Sequence, residues 1–209
     1  LYEKRPFLVA SLAAAIAYYF MSDDEIGGLY LIALKGCGVG LLAIYAATRH
    51  KSIDARILVA VMALGALGDM LLELSFTWGG AAFFIGHLTA LWLYVRNPRP
   101  RTTPTQKAAA IALFVMVPIT ALLLTRDSAL TLYATGLGTM AAAAWASRFP
   151  RYRVGLGALL FVLSDLLLFA RTDGLAQQAA DLLVWPTYYF GQFLICTGVI
   201  QTLRKESAA

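Results

Sequence analysis

The sequence predicts an all-α polytopic membrane protein with eight transmembrane helices, on three observations. Of the 209 residues 60% are hydrophobic and 14% charged, at a mean hydropathy of +0.70, whereas a soluble domain averages roughly 45–50% apolar and about 25% charged. The apolar residues gather in stretches close to the roughly 20 that cross a hydrocarbon core of about 30 Å. Basic residues gather at every second break between these stretches, and so on one side. A water-soluble globule is thereby excluded, and a net charge of +5 spread in short clusters between apolar runs is no nucleic-acid surface.

The first stretch, 6–21, follows Lys4 and Arg5 as the core of a signal peptide would. It leads into Ser22-Asp23-Asp24-Glu25 rather than a small-residue cleavage site, so a retained first helix is expected. Stretches 27–47, 54–74 and 79–96 supply the second to fourth helices. Stretches 106–125, 128–147, 153–170 and 182–203 supply the fifth to eighth, with Pro118 kinking the fifth as a bundle allows. Together they make one integral membrane domain over 1–209. Fourteen Lys and Arg lie on one side of the eight crossings, while Arg126 and Arg171 lie on the other and Lys35 within a helix. This bias predicts that both termini are cytoplasmic. Trp78 and Trp185 are expected near the outer interface, Trp92 and Trp145 near the inner one. Cys37 and Cys196 both sit in apolar stretches, which offers no disulfide framework.

An internal repeat is legible. Leu67-Gly68-Asp69-Met70-Leu71-Leu72 in the third helix matches Leu163-Ser164-Asp165-Leu166-Leu167-Leu168 in the seventh. Phe83-Phe84-Ile85-Gly86-His87-Leu88 in the fourth matches Tyr188-Tyr189-Phe190-Gly191-Gln192-Phe193 in the eighth. The offsets are 96 and 105 residues, and the polar stretch 172–181 absorbs the difference. Two four-helix halves, 1–100 and 101–209, related by a pseudo-twofold axis along the membrane normal, are expected.

Ionisable side chains in a bilayer cost on the order of 2.5–3.5 kcal/mol or more at a helix centre, yet Lys35, Asp69, Glu73, His87 and Asp165 all fall in apolar stretches. At about 1.5 Å per residue, Asp69 and Asp165 lie roughly 7 Å below the outer surface, and Lys35, His87 and Gln192 roughly 12–14 Å. A shared cavity opening outward would require such a common depth. Asp69 and Glu73, spaced i,i+4, share a helix face. Two partly desolvated carboxylates together keep one protonated near neutral pH, which suits general acid catalysis; solvation near the headgroups is the plainer role for Glu73. His87 is a proton-transfer or orienting group, or a packing histidine. Lys35 holds a substrate phosphate or forms an ion pair, and Arg126 and Arg171 are placed to meet a lipid phosphate. No cofactor is called for. His50 belongs to a loop, so a histidine zinc site lacks ligands, and a set of Asp69, His87 and Asp165 is the only metal alternative. Gly36-Cys37-Gly38-Val39-Gly40 has a nucleotide-loop composition but no preceding strand, and serves close helix packing. Ser164 lacks a nucleophile elbow, which argues against a serine hydrolase.

Gly68-Asp69, Phe84-Ile85-Gly86-His87, Ser164-Asp165 and the segment Tyr188 to Gln192 together resemble the YhhN-type membrane proteins, whose best-known members are lysoplasmalogenases. The resemblance spans nearly the whole chain; one departure is Ala90, where relatives are expected to carry an aromatic residue. It implies hydrolysis of the vinyl ether bond of a lysophospholipid substrate, giving a fatty aldehyde and glycerophosphoethanolamine or glycerophosphocholine. On this expectation one of Asp69 and Asp165 is the general acid and the other stabilises the cation and directs water. His87, Tyr188 and Gln192 orient them, and Lys35 holds the headgroup. The competing class is a small proton-coupled transporter or lipid carrier, since repeats and buried acids serve such proteins too. Abundant Ala, and Arg in excess of Lys, point to a bacterial inner membrane. No oligomeric state is assigned by the sequence.

Overall fold

The computed structural model describes residues 5–22, 28–172 and 174–208. Lys4 and the acidic run Asp23-Asp24-Glu25, on which part of the reading of the first helix rests, lie outside them. Eight α-helices occur among the described residues: α1 (Pro6–Met21), α2 (Leu29–Arg49), α3 (Ile53–Leu72), α4 (Phe76–Val95), α5 (Pro104–Thr125), α6 (Ser128–Ala146), α7 (Leu156–Thr172) and α8 (Gln177–Glu206). A π-helical turn, Arg151–Gly155, leads into α7. The chain is a multi-pass integral membrane protein: six helices are long and apolar enough to cross a bilayer, α7 counted with its leading turn. The shorter α1 and the threonine-bearing α6 complete the eight.

Polar residues at the breaks start the helices. Ser52 accepts the N–H of Ala55, Asp127 those of Ala129 and Leu130, and Thr103 with Gln106 closes a capping box. Within α6, the hydroxyls of Thr131, Thr135 and Thr139 each bond the carbonyl four residues back, so none meets the hydrocarbon unsatisfied.

α8 departs furthest from expectation. It begins at Gln177 rather than 182, and Pro186 lies in its interior. Proline removes one backbone donor, and the freed carbonyl of Leu182 instead takes the Tyr19 hydroxyl at 3.4 Å. Thr187 Oγ1 donates to Leu183 O at 2.6 Å, and Ser164 Oγ to Val184 O at 2.9 Å. The helix therefore continues through the proline, and part of the stretch expected to absorb the repeat offset is helical. Trp185 also differs: its indole N–H donates to Ala15 O at 2.9 Å and its ring packs on Tyr18, Tyr188 and Tyr189. It is an internal wall, not an interfacial anchor, because a backbone acceptor inside the bundle satisfies its polar end.

α1 to α4 pack as successive neighbours, α5 on α6, and α7 on α8; α4 also meets α6, and α8 meets α2 and α3. One end of the bundle is basic and tied together. Arg148 reaches Asn97 (2.7 Å), Asp54 (3.9 Å) and Glu206, Arg96 pairs with Asp54 (3.4 Å), and His50 bonds Ser207 (2.9 Å). These contacts gather the ends of α2, α4, α6 and α8 at one level, as the charge alternation requires. The other end holds a cavity.

Candidate active site

A cavity of about 430 Å³ opens at the end opposite the basic cluster. Seven helices wall it: Tyr18 on α1, Lys35 on α2, Asp69 on α3, Phe83 on α4, Tyr133 on α6, Asp165 on α7 and Tyr188 on α8. Its size falls within the roughly 300–1,000 Å³ of small-molecule sites.

The two aspartates expected to be equivalent are treated alike by the fold. Each is buried, and each accepts a hydrogen bond from one tyrosine: Tyr188 Oη to Asp69 Oδ2 at 2.8 Å, and Tyr133 Oη to Asp165 Oδ2 at 2.7 Å. Behind each tyrosine stands a second polar residue. His87 Nε2 lies 2.9 Å from Tyr133 Oη and 3.9 Å from Asp165 Oδ2. The Tyr133 proton points to Asp165, so His87 must donate from Nε2, and the chain runs His87 to Tyr133 to Asp165. On the other side the Gln192 amide nitrogen faces the Tyr188 hydroxyl, both beside Gly65. A Cβ at Gly65 would stand 3.0 Å from that nitrogen and 3.4 Å from that oxygen, so the glycine makes room for the pair.

Aromatic rings hold these groups in place. Phe161 contacts His87 and Tyr188 edge-on, with centroids 5.0 and 5.1 Å away, and Phe83 closes the set at 6.0 Å from Phe161. The carboxylates therefore lie against an apolar floor that favours charge–dipole interactions over those with water. Tyr133→Phe leaves the buried Asp165 without its hydroxyl donor, at an expected cost of about 1–3 kcal/mol. Thermal unfolding in detergent should show a lowered midpoint, partly recovered in Tyr133→Phe/Asp165→Asn, where the residue left without the hydroxyl carries no charge.

Glu73 behaves differently from its expected partnership with Asp69. It sits one residue past the end of α3, where Lys35 Nζ pairs with it at 2.6 Å and Tyr18 Oη donates to it at 3.1 Å. The ammonium also lies 5.3 Å from the Tyr18 ring centroid. Glu73 is thus half-solvated and neutralised at the mouth, while Asp69 points inward to Tyr188. Arg171 lines the same mouth and faces Asp181 at 3.4 Å. Arg126 does not line it; it takes a left-handed conformation (φ 51°) that ends α5. Gln192 and His87 stand behind the cavity wall, not in it.

Tyr133, Tyr18 and Asp181 are site residues that the sequence reading missed. A neutral tyrosine in an apolar helix carries no desolvation signal comparable to that of a charge, and Asp181 lies in a polar stretch. No three His, Cys, Asp or Glu side chains converge as a metal's donor set among the described residues.

A model of the YhhN family matches residues 30–199. The chain is 26% identical over 179 residues to proteins named lysoplasmalogenase from Mycobacterium bovis and Mycobacterium tuberculosis, covering 79% of this chain and 69% of each relative. It is 33% identical over 138 residues to the lysoplasmalogenase TMEM86B of Sus scrofa, covering 63% of this chain and 57% of that one. No solved structure matches.

Proposed function

The chain belongs to the YhhN family, and on that premise we propose that it is a membrane hydrolase of the lysoplasmalogenase type. Its substrate is a lysophospholipid carrying an alkenyl ether. The observation that carries this reading is the cavity into which Asp69 and Asp165, each fixed by a tyrosine hydroxyl, both open.

Vinyl ether hydrolysis needs two services that this pair can supply. A proton is delivered to the β-carbon of the double bond, leaving an oxocarbenium ion at the α-carbon. Water adds there, loses a proton, and the hemiacetal collapses to a fatty aldehyde and the free glycerol hydroxyl. One water is consumed, and the acid's proton is returned when the water is deprotonated. A protonated carboxylic acid performs the first step; an ionised carboxylate opposes the cation and receives the water's proton, the division of labour used by glycosidases. Lys35 and Arg171 at the mouth fit the phosphate of the headgroup, and Leu72, Phe76, Leu130 and Leu168 give the alkenyl chain an apolar wall. The same reading puts the basic end in the cytoplasm of a bacterial cell, under the rule that retains Lys and Arg inside.

A proton-coupled carrier is the second reading, since buried acids serve such proteins too. The test uses purified protein in detergent with a 1-alkenyl lysophospholipid and no ion gradient. Release of fatty aldehyde, absent with the 1-alkyl ether analogue, is expected. Uptake into sealed vesicles without any aldehyde would overturn the hydrolase in favour of the carrier.

A further inference from the structure

Beneath the aromatic floor lies a second, much smaller cavity of about 20 Å³, lined among others by Gly65, His87, Ala90, Tyr94, Phe161 and Gln192. Its wall is mostly apolar, with Val61, Met140 and Ile195, but two of its lining residues each carry a buried polar atom with no hydrogen-bond partner among the described residues: Tyr94 Oη and Gln192 Oε1. Tyr94 is 1% exposed and Gln192 2%. A buried polar atom left unpaired costs about 1–3 kcal/mol, and two orphans around one void argue for a ligand that satisfies both. The volume exceeds the roughly 10–15 Å³ that one water requires, and water can donate to the carbonyl and bond the hydroxyl.

We propose that the inner cavity is a binding site for a single water molecule, held by Tyr94 and Gln192, which fixes the Gln192 amide and through it the Tyr188 hydroxyl on Asp69. The logic of the amide supports this. Tyr188 spends its one proton on Asp69, so the group facing its oxygen must be the Gln192 N–H, and Gln192 Oε1 is thereby turned away from it. A donor is needed at that oxygen to hold the orientation, and no side chain among the described residues supplies one.

The location has a further physical reason. Gly65 and Phe161 stand 96 residues apart, and His87 and Gln192, like Ala90 and Ile195, stand 105 apart; these are the offsets of the repeat, and all six residues line this one void. On the repeat reading the cavity lies on the pseudo-twofold axis, where mismatched partners such as Ala90 and Ile195 leave space. His87 and Gln192 would then be counterparts that each support one acid through one tyrosine. Tyr94, a turn below Ala90 on the same face of α4, is a positioning residue and not a catalytic one.

The test for the water needs no substrate. X-ray radiolysis generates hydroxyl radicals from bound water in place, and mass spectrometry reads the side chains they oxidise. In detergent-purified protein, Met140 should be oxidised at least tenfold faster than Met62, which is equally buried but lines neither cavity, and Tyr94 should be labelled too. Ala90→Leu fills the void and should abolish both signals. Should that variant not fold, Tyr94→Phe, which removes a water partner, should still lower Met140 labelling severalfold. Met140 labelling no faster than Met62 in the unmutated protein would overturn the proposal. The kinetic consequence rests on the hydrolase reading: Tyr94→Phe should lower kcat for aldehyde release about tenfold with KM unchanged, and an unchanged kcat would refute the positioning role. Strong labelling without any aldehyde would sink the hydrolase alone, and aldehyde without labelling would sink the water site alone.

Discussion

Asp165→Asn and Asp69→Asn should each lower kcat for aldehyde release by about 10²- to 10⁴-fold, the range of a positioned general acid or base. Asparagine keeps the shape and can still accept from Tyr133 or Tyr188, so packing is preserved while proton delivery or cation stabilisation is lost. KM should change little, because the phosphate would be met by Lys35 and Arg171 at the mouth. The double variant should be no slower than the slower single one, since groups acting as a unit do not give additive losses. Steady-state kinetics on variants that elute as the unmutated protein does would check this. Unmutated rates from both single variants would end the assignment.

The second large effect is structural. Gly157 on α7 and Gly191 on α8 face one another so closely that a Cβ built on either would stand 2.6 or 2.7 Å from the other's carbonyl oxygen. The obstructing atoms are backbone, which cannot rotate away, so any side chain separates the helices. Gly191→Val should therefore give protein that fails to elute as a single species in detergent, and Gly157→Val likewise; forced overpacking alone costs about 1–3 kcal/mol, and more where backbone must move. Gly86, which stands 105 residues before Gly191, is the control: a Cβ there meets only Leu64 Cβ at 3.6 Å, ordinary contact. Gly86→Ala should elute and melt as the unmutated protein does. Equal behaviour of Gly86→Ala and Gly191→Val on size-exclusion chromatography would refute this account. Since α7 carries Asp165 and α8 carries Tyr188 and Gln192, this contact also sets the relation of one acid to the other's support.

How much of the site was legible follows from what burial costs. Asp69, Asp165 and His87 stood out because charge or a strong polar group in an apolar run is expensive enough to need a reason. Their convergence could be anticipated from the repeat and the common depth. Tyr133 and Tyr18 could not: a phenol is tolerated in an apolar helix with or without a task, and Tyr133 becomes informative only when its hydroxyl is seen between His87 and Asp165. Of the two roles open to Glu73, solvation at the mouth is the one its surroundings fit. Its spacing from Asp69 is a property of one helix, whereas its partner, Lys35, comes from another, 38 residues away.

What the sequence determined by itself is therefore the membrane architecture and the identity of the buried acids, because hydrophobic run length, charge alternation and desolvation cost are all properties of the chain before it folds. Only the tertiary structure decided which donor meets which acceptor: Tyr188 with Asp69, Tyr133 with Asp165, and Lys35 with Glu73. A hydrogen bond is made or missed within about 3 Å, and that precision comes from contacts such as Gly157 against Gly191, which no pattern along a single helix specifies.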